Sequence, residues 1–227
     1  MPTVLLVVDG KDWLHPVFYR RYFEMDLSVL NIRKRRPPIE STLFCVRLLI
    51  IPGSMARIVD QTPETRYLLE LIRTAHRRNI GMIGICHGHQ AINLALGGRL
   101  ERLPDWNQGV RLSLHGGLSG LKSHSIKVVE SPFTVRMRRD DEIETCYQAD
   151  PFVFTTQYHF EISPFAHPGL YHEAVGQYLA WGYTRKEIEQ VMSQSDESKL
   201  HRFRTSIAVR TWLLSAVRQT LSHPNRS

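Results

Sequence analysis

Short apolar runs punctuate the chain, and glycine, proline or a polar cluster closes each one. Val4 to Val8 is closed by Asp9-Gly10, which predicts a first core strand over Thr3 to Asp9. Leu43 to Ile51, broken only by Arg47 and ended by Pro52-Gly53-Ser54, predicts a buried parallel strand. Ile80 to Ile85 predicts another. Phe152 to Thr156, rich in β-branched and aromatic residues, predicts one more. A second strand is expected within Asp26 to Ile32, a short one over Arg99 to Leu103, and an alternating edge strand over Val110 to Leu114 before a turn at His115-Gly116-Gly117.

Helical spacing fills the intervals. Trp13 to Phe23 predicts an aromatic-rich helix interrupted near Pro16. Thr62-Pro63-Glu64 opens a second, with threonine as N-cap and proline at the first helical position; Tyr67, Leu68, Leu71, Ile72 and Ala75 form its apolar face. A small apolar helix follows Ile85 at once, through Gly98. Beyond Pro164, Leu170 to Trp181 is expected to be helical. Thr184 and Glu187 form a capping box for a helix reaching Met192. After a polar linker over Ser193 to Lys199, one stripe carries Leu200, Phe203, Ile207, Leu214, Val217 and Leu221. That stripe suits a helix closing over the core, or a partner-docking face. Strands alternating with helices predict an α/β fold, a doubly wound and mostly parallel sheet flanked by helices. Right-handed βαβ units in such a sheet place sites at the carboxyl ends of the strands, where Gly53 and Cys86 fall.

Composition narrows this little. The 227 residues suit one domain spanning 1–227, with a core over about 1–164 and a helical C-terminal extension over about 165–227. Hydrophobic content of 42% and charged content of 22% are those of a soluble globular protein. Cys45, Cys86 and Cys146 form no CxxC pair and suggest a reducing compartment. The first apolar run is too short for a membrane span and lacks the basic flank of a signal peptide, so a cytoplasmic protein is expected. The net charge of +7 is densest at Arg33-Lys34-Arg35-Arg36, read as a solvated loop. With no zinc-finger spacing or aromatic-interleaved basic motif beside it, no nucleic-acid partner is expected.

The chemistry gathers at Gly84-Ile85-Cys86-His87-Gly88. A strand, a tight glycine-flanked turn and a helix hold a nucleophile exposed on an elbow. Cys86 would sit at the helix N-terminus, where backbone N–H groups and the helix dipole favour a thiolate. Taken alone, the pattern also fits a buried structural cysteine. Gln157-Tyr158-His159-Phe160-Glu161 changes the balance: in extended backbone His159 and Glu161 share one face. A thiol, an imidazole base and a carboxylate to orient it make a complete acyl-transfer set.

The order of these motifs, GICHGHQ and then QYHFE, resembles the class I glutamine amidotransferases, whose second motif usually reads QFHPE. Phe160 stands where that family has proline. The resemblance implies a flavodoxin-like sheet of the class I glutamine amidotransferase kind, with Cys86, His159 and Glu161 as catalytic triad. It implies oxyanion and substrate contacts from Gly53, Ser54, His87, Gln90 and Ser125. Ser125 falls in Ser123 to Val128, similar to the family's RYHSLxV segment; His124 there is equally a polar start to a strand. The substrate would be glutamine or a γ-glutamyl compound, with no cofactor and ammonia passed to a synthase or acceptor subunit in trans. A γ-glutamyl peptidase acting on glutathione-like conjugates is the alternative, and a silent binding module a third. No metal is expected, since His87 and His89 span a turn and no acidic or cysteine ligands accompany His87, His89, His115 and His124.

Overall fold

Alternate residues of the central strands face opposite ways, and in this chain both sets are apolar, so the strands need cover on two sides. The computed structural model describes residues 3–9, 16–54, 56–103, 111–115, 118–122, 124–139, 141–159, 179, 184–186 and 196–222. The order begins β1 (Thr3–Val8), α1 (Pro16–Phe23), β2 (Ser28–Asn31), α2 (Ile39–Thr42), β3 (Val46–Ile51), α3 (Pro63–Arg77), β4 (Gly81–Ile85) and α4 (His87–Ala95). It continues with β5 (Arg99–Arg102), β6 (Arg111–His115), β7 (Leu118–Lys122), β8 (Ile126–Glu130), β9 (Val135–Arg139), β10 (Glu142–Gln148), β11 (Val153–Thr156) and α5 (Asp196–Ser222).

A seven-stranded sheet runs in the order β2-β1-β3-β4-β11-β10-β9. The first five are mutually parallel, and β10 and β9 add antiparallel pairs at one edge. Two small antiparallel pairs, β5 with β8 and β6 with β7, lie outside it. Val4, Leu6 and Val8 of β1, with Leu48 and Ile50 of β3, pack under α1 and α5. Leu5 and Val7, with Leu49 and Ile51, pack on the other face under α3 and α4. The architecture is the doubly wound, mostly parallel sheet that the strand–helix alternation predicts.

Several boundaries differ from expectation for physical reasons. α1 starts at Pro16, since proline lacks an N–H and fits a first helical turn; residues 13–15 lie outside the described set. β3 starts three residues later than the apolar run. Leu43 instead closes the one-turn helix α2, whose Ser41 and Thr42 hydroxyls donate to the Pro38 carbonyl. α3 begins as predicted, with the Thr65 N–H donating to Thr62 Oγ1 at 3.1 Å. Arg47 does not break β3: its guanidinium donates to the Leu221 and Thr220 carbonyls at 2.7 and 3.2 Å, closing the C-terminal turn of α5.

Leu214 and Val217 of the C-terminal stripe are buried in the core with Leu213 and Val209, and Leu221 packs against them. The side chains of Leu200, Phe203 and Ile207 lie outside the described residues, as does most of 160–195 with its two expected helices. Among the described residues, no helix is long and apolar enough to cross a membrane.

Candidate active site

β4 is buried along its length and delivers Cys86 to the carboxyl edge of the sheet. Cys86 takes φ 50° and ψ −103°, a conformation an L-residue adopts only when its surroundings demand it. Two close approaches make that demand. A Cβ on Gly84 would lie 2.6 Å from the Gly88 carbonyl oxygen, and one on Gly88 would lie 2.0 Å from that of Ile51. The two glycines let the start of α4 press onto β3 and β4, and the chain must turn within one residue. Backbone bonds lock the turn: Cys86 N–H donates to the Thr156 carbonyl at 2.8 Å, and Gln90 N–H to the Cys86 carbonyl at 3.1 Å. That second bond is the first of the helix, so the His87 N–H has no acceptor within α4.

Thr156 pairs with Ile85 in register, so β11 leaves the sheet beside Cys86. Gln157, Tyr158 and His159, all buried, occupy the next three positions. Gln157 Nε2 donates to Cys86 Sγ at 3.3 Å, and Gln157 Oε1 accepts from Gln90 Nε2 at 3.2 Å. Gln90 Nε2 also donates to the Ile126 carbonyl at 2.8 Å, fastening the segment that carries Ser125 to the elbow helix. The Gln157 N–H donates to the Glu144 carbonyl, and the Tyr158 hydroxyl donates to the Glu144 carboxylate. Phe160 and Glu161 lie outside the described residues.

Cys86, Gln90 and Gln157 are therefore in direct contact, while Gly53 and Ser54 follow β3 at the same edge. Ser54 Oγ donates to the Asp9 carbonyl at 2.6 Å and accepts from the Ala56 N–H at 3.0 Å, which ties this turn to the end of β1. The His87 ring is buried with Nε2 unpartnered; burial pushes its pKa down to about 4, against the opposing pull of the Asp9 carboxylate. Arg33 Nε donates to Asp9 Oδ1 at 2.9 Å. Ser125 is half-buried, and its carbonyl accepts from the Leu103 N–H. Neighbouring His124 is buried, with Nε2 2.8 Å from Glu142 Oε1.

The other thiols differ. Cys45 is exposed; Cys146 is buried, close to Ser131 and Asn93, and burial pushes its thiol pKa up. Both ring nitrogens of His89 are engaged, with Thr155 Oγ1 and the Ile143 carbonyl, each at 2.9 Å. Among the described residues no group of three or more His, Cys, Asp or Glu could hold a metal ion. Three groups at the site carry no sequence signal of their role. Gln157 opens the QYHFE motif, whose chemistry points to His159 and Glu161 and gives the glutamine no part. Glu144 and Asp9 sit at strands whose neighbours give no hint of a buried carboxylate.

The family model for glutamine amidotransferase class-I matches residues 18–173. A glutamine amido transferase from Methylobacillus flagellatus is similar in structure, with TM-score 0.67 and 19% identity over 98% of this chain and 96% of that one. A glutamine amidotransferase from Thermotoga maritima gives TM-score 0.65 and 16% identity, over 98% of this chain and 99% of its own. A Thermoplasma acidophilum protein described as a candidate GMP synthase subunit gives TM-score 0.56 and 17% identity over 96% and 98%. No curated protein matches the chain. At such identities the likeness to solved structures speaks for the fold.

Proposed function

This chain belongs to the class-I glutamine amidotransferase family, and from that premise we propose that it hydrolyses the side-chain amide of glutamine through a γ-glutamyl thioester on Cys86. The observation that carries the proposal is the elbow: the buried strand ends in a single strained cysteine at a helix N-terminus, with the His159 segment emerging next to it. Family members generally catalyse glutamine amide hydrolysis, and a cysteine on an elbow with a histidine segment beside it supports such chemistry here.

In the proposed sequence the sulfur attacks the amide carbon, and the thiol proton passes to His159. The oxyanion forms opposite the N–H of His87 and that of Gly53 or Ser54, where each donor contributes on the order of 3 kcal/mol in the transition state. Collapse breaks the C–N bond, and His159 returns the proton to nitrogen, releasing ammonia. Water then attacks the thioester, which gives glutamate and restores the thiol. Glu161 keeps the imidazole oriented and supports its charge. Ser125 holds the amino-acid end of the substrate, and Gln90, whose NH2 is spent on the Ile126 carbonyl and on Gln157, offers it only the amide oxygen. Residues 1–227 act as one amidotransferase unit whose ammonia serves a synthase partner in trans, an arrangement consistent with a fold relative described as part of a candidate synthase.

Glutamate and ammonia, measured separately, test this. Glutamine should be turned over slowly by the isolated chain and several-fold faster with its synthase. Cys86→Ala and His159→Ala should each lower kcat by about a thousandfold or more, and Glu161→Gln by less, because orienting a base is less costly to lose than the base itself. A kcat/KM for glutathione or an S-alkyl glutathione far above that for glutamine, with no partner present, would make the protein a γ-glutamyl peptidase instead. Full activity in His159→Ala would remove the triad.

A further inference from the structure

We propose that Gln157 is the hydrogen-bond donor that holds the Cys86 sulfur as a thiolate, and that Gln90 is the positioning residue that aims it. The inference rests on the reading of Cys86 as nucleophile and adds a group to the chemistry that neither the triad nor the oxyanion donors supply.

The geometry fixes which end of the Gln157 amide faces the sulfur. The Ile126 carbonyl can only accept, so the Gln90 atom 2.8 Å away must be the amide nitrogen. Its second hydrogen points at Gln157, which must present oxygen there, at 3.2 Å. The Gln157 NH2 is then left facing Cys86 Sγ at 3.3 Å. A flipped Gln157 would set two NH2 groups against each other and an oxygen lone pair against a thiolate. Gln157 is fully buried and its own N–H is fixed on the Glu144 carbonyl, so no water competes for its side-chain NH2 and the donor needs no reorganisation as charge forms. Donors to an ionised partner are the strong ones, so the bond favours thiolate over thiol.

The test is the pH profile of Cys86 alkylation by iodoacetamide on the full chain, followed peptide by peptide with mass spectrometry. The other titratable groups around this corner are His87 on α4, Asp9 with Arg33 beside β1, Glu144 on β10, His124 before β8 and His159 after β11. None is altered in Q157M or Q90M, and neither adds a charge, so a change in profile there reports the donor. In Q157M the pH of half-maximal alkylation should rise by about one unit, which makes alkylation roughly tenfold slower below it. Q157E, which keeps the size and an oxygen toward Gln90 but places a carboxylate on the sulfur, should shift it at least as far. Q90M should shift it in the same direction by less, and Q90M/Q157M no further than Q157M alone. Protection of buried Cys146 identifies folded variants, and the exposed Cys45 profile should stay fixed. Alkylation needs no glutaminase turnover, so failure of the amidotransferase reading would show in the product assay and leave this profile intact. An unshifted Cys86 profile in Q157M, or in Q90M if Q157M does not fold, overturns the proposal.

Discussion

A residue at φ 50° that is not glycine costs free energy, and at Cys86 that strain is matched by buried histidines on the turns that follow. His87 is the clearest case: its folded pKa of about 4 lies below the ordinary 6.5. Between those values the unfolded chain binds a proton that the folded chain does not, so stability rises with pH. The contribution is complete above about pH 6.5 and is lost as pH falls toward 4, by up to about 3 kcal/mol. His87→Gln should flatten this slope. Denaturant unfolding at about pH 7.5 and about pH 5 should show the wild type losing roughly 2 kcal/mol more than the variant over that interval. An equal loss in both would place the titration elsewhere.

At the scale of elements, legibility followed whether a residue's environment is set locally. The elbow could be read because Gly84, Cys86 and Gly88 satisfy a constraint within one turn; α3 could be read because Thr62 and Pro63 cap it locally. β9 and β10 could not. Val135–Arg139 carries three arginines, of which Arg136 and Arg138 are exposed, and in sequence it looks like a loop. β10 buries Glu142, Glu144 and Thr145 among apolar residues, and no alternation survives. Its polar groups are tolerated through partners distant in sequence: His124 for Glu142, and Tyr158 for Glu144. Likewise the contact of Gln157 with the thiol depends on the register of β11 against β4, which no motif encodes. Gly88→Ala tests the local constraint. Its Cβ would meet a main-chain oxygen that cannot rotate away, so the variant should lose at least about 3 kcal/mol and its glutaminase activity together. A variant of wild-type melting temperature would mean that α4 can pull back from β3.

Over the whole molecule, one sheet carries both the core and the proposed site. Cys86 and the segment from Gln157 to His159 follow β4 and β11 at the carboxyl edge of the sheet, and Cys86 itself belongs to the apolar core that Val209, Leu213, Leu214 and Val217 of α5 help to fill. The described side chains of α5 serve that core by packing. Leu213→Ala, at a fully buried position, should cost about 2–5 kcal/mol in urea unfolding, with kcat nearly unchanged at temperatures where the variant remains folded. A large fall in kcat without loss of stability would tie α5 to the site.

The clasp of Arg47 on the last turn of α5 fixes one more thing. Gly81 opens β4 against the Thr220 side chain, and Cys86 follows the end of the same strand. The final turn of α5 and the elbow therefore lie at opposite edges of the sheet, about 15 Å of strand apart. A bead or electrode coupled beyond Ser222 would grip the protein from behind and present every molecule to the solution with the same edge outward. The chain comes with its own handle for oriented immobilisation.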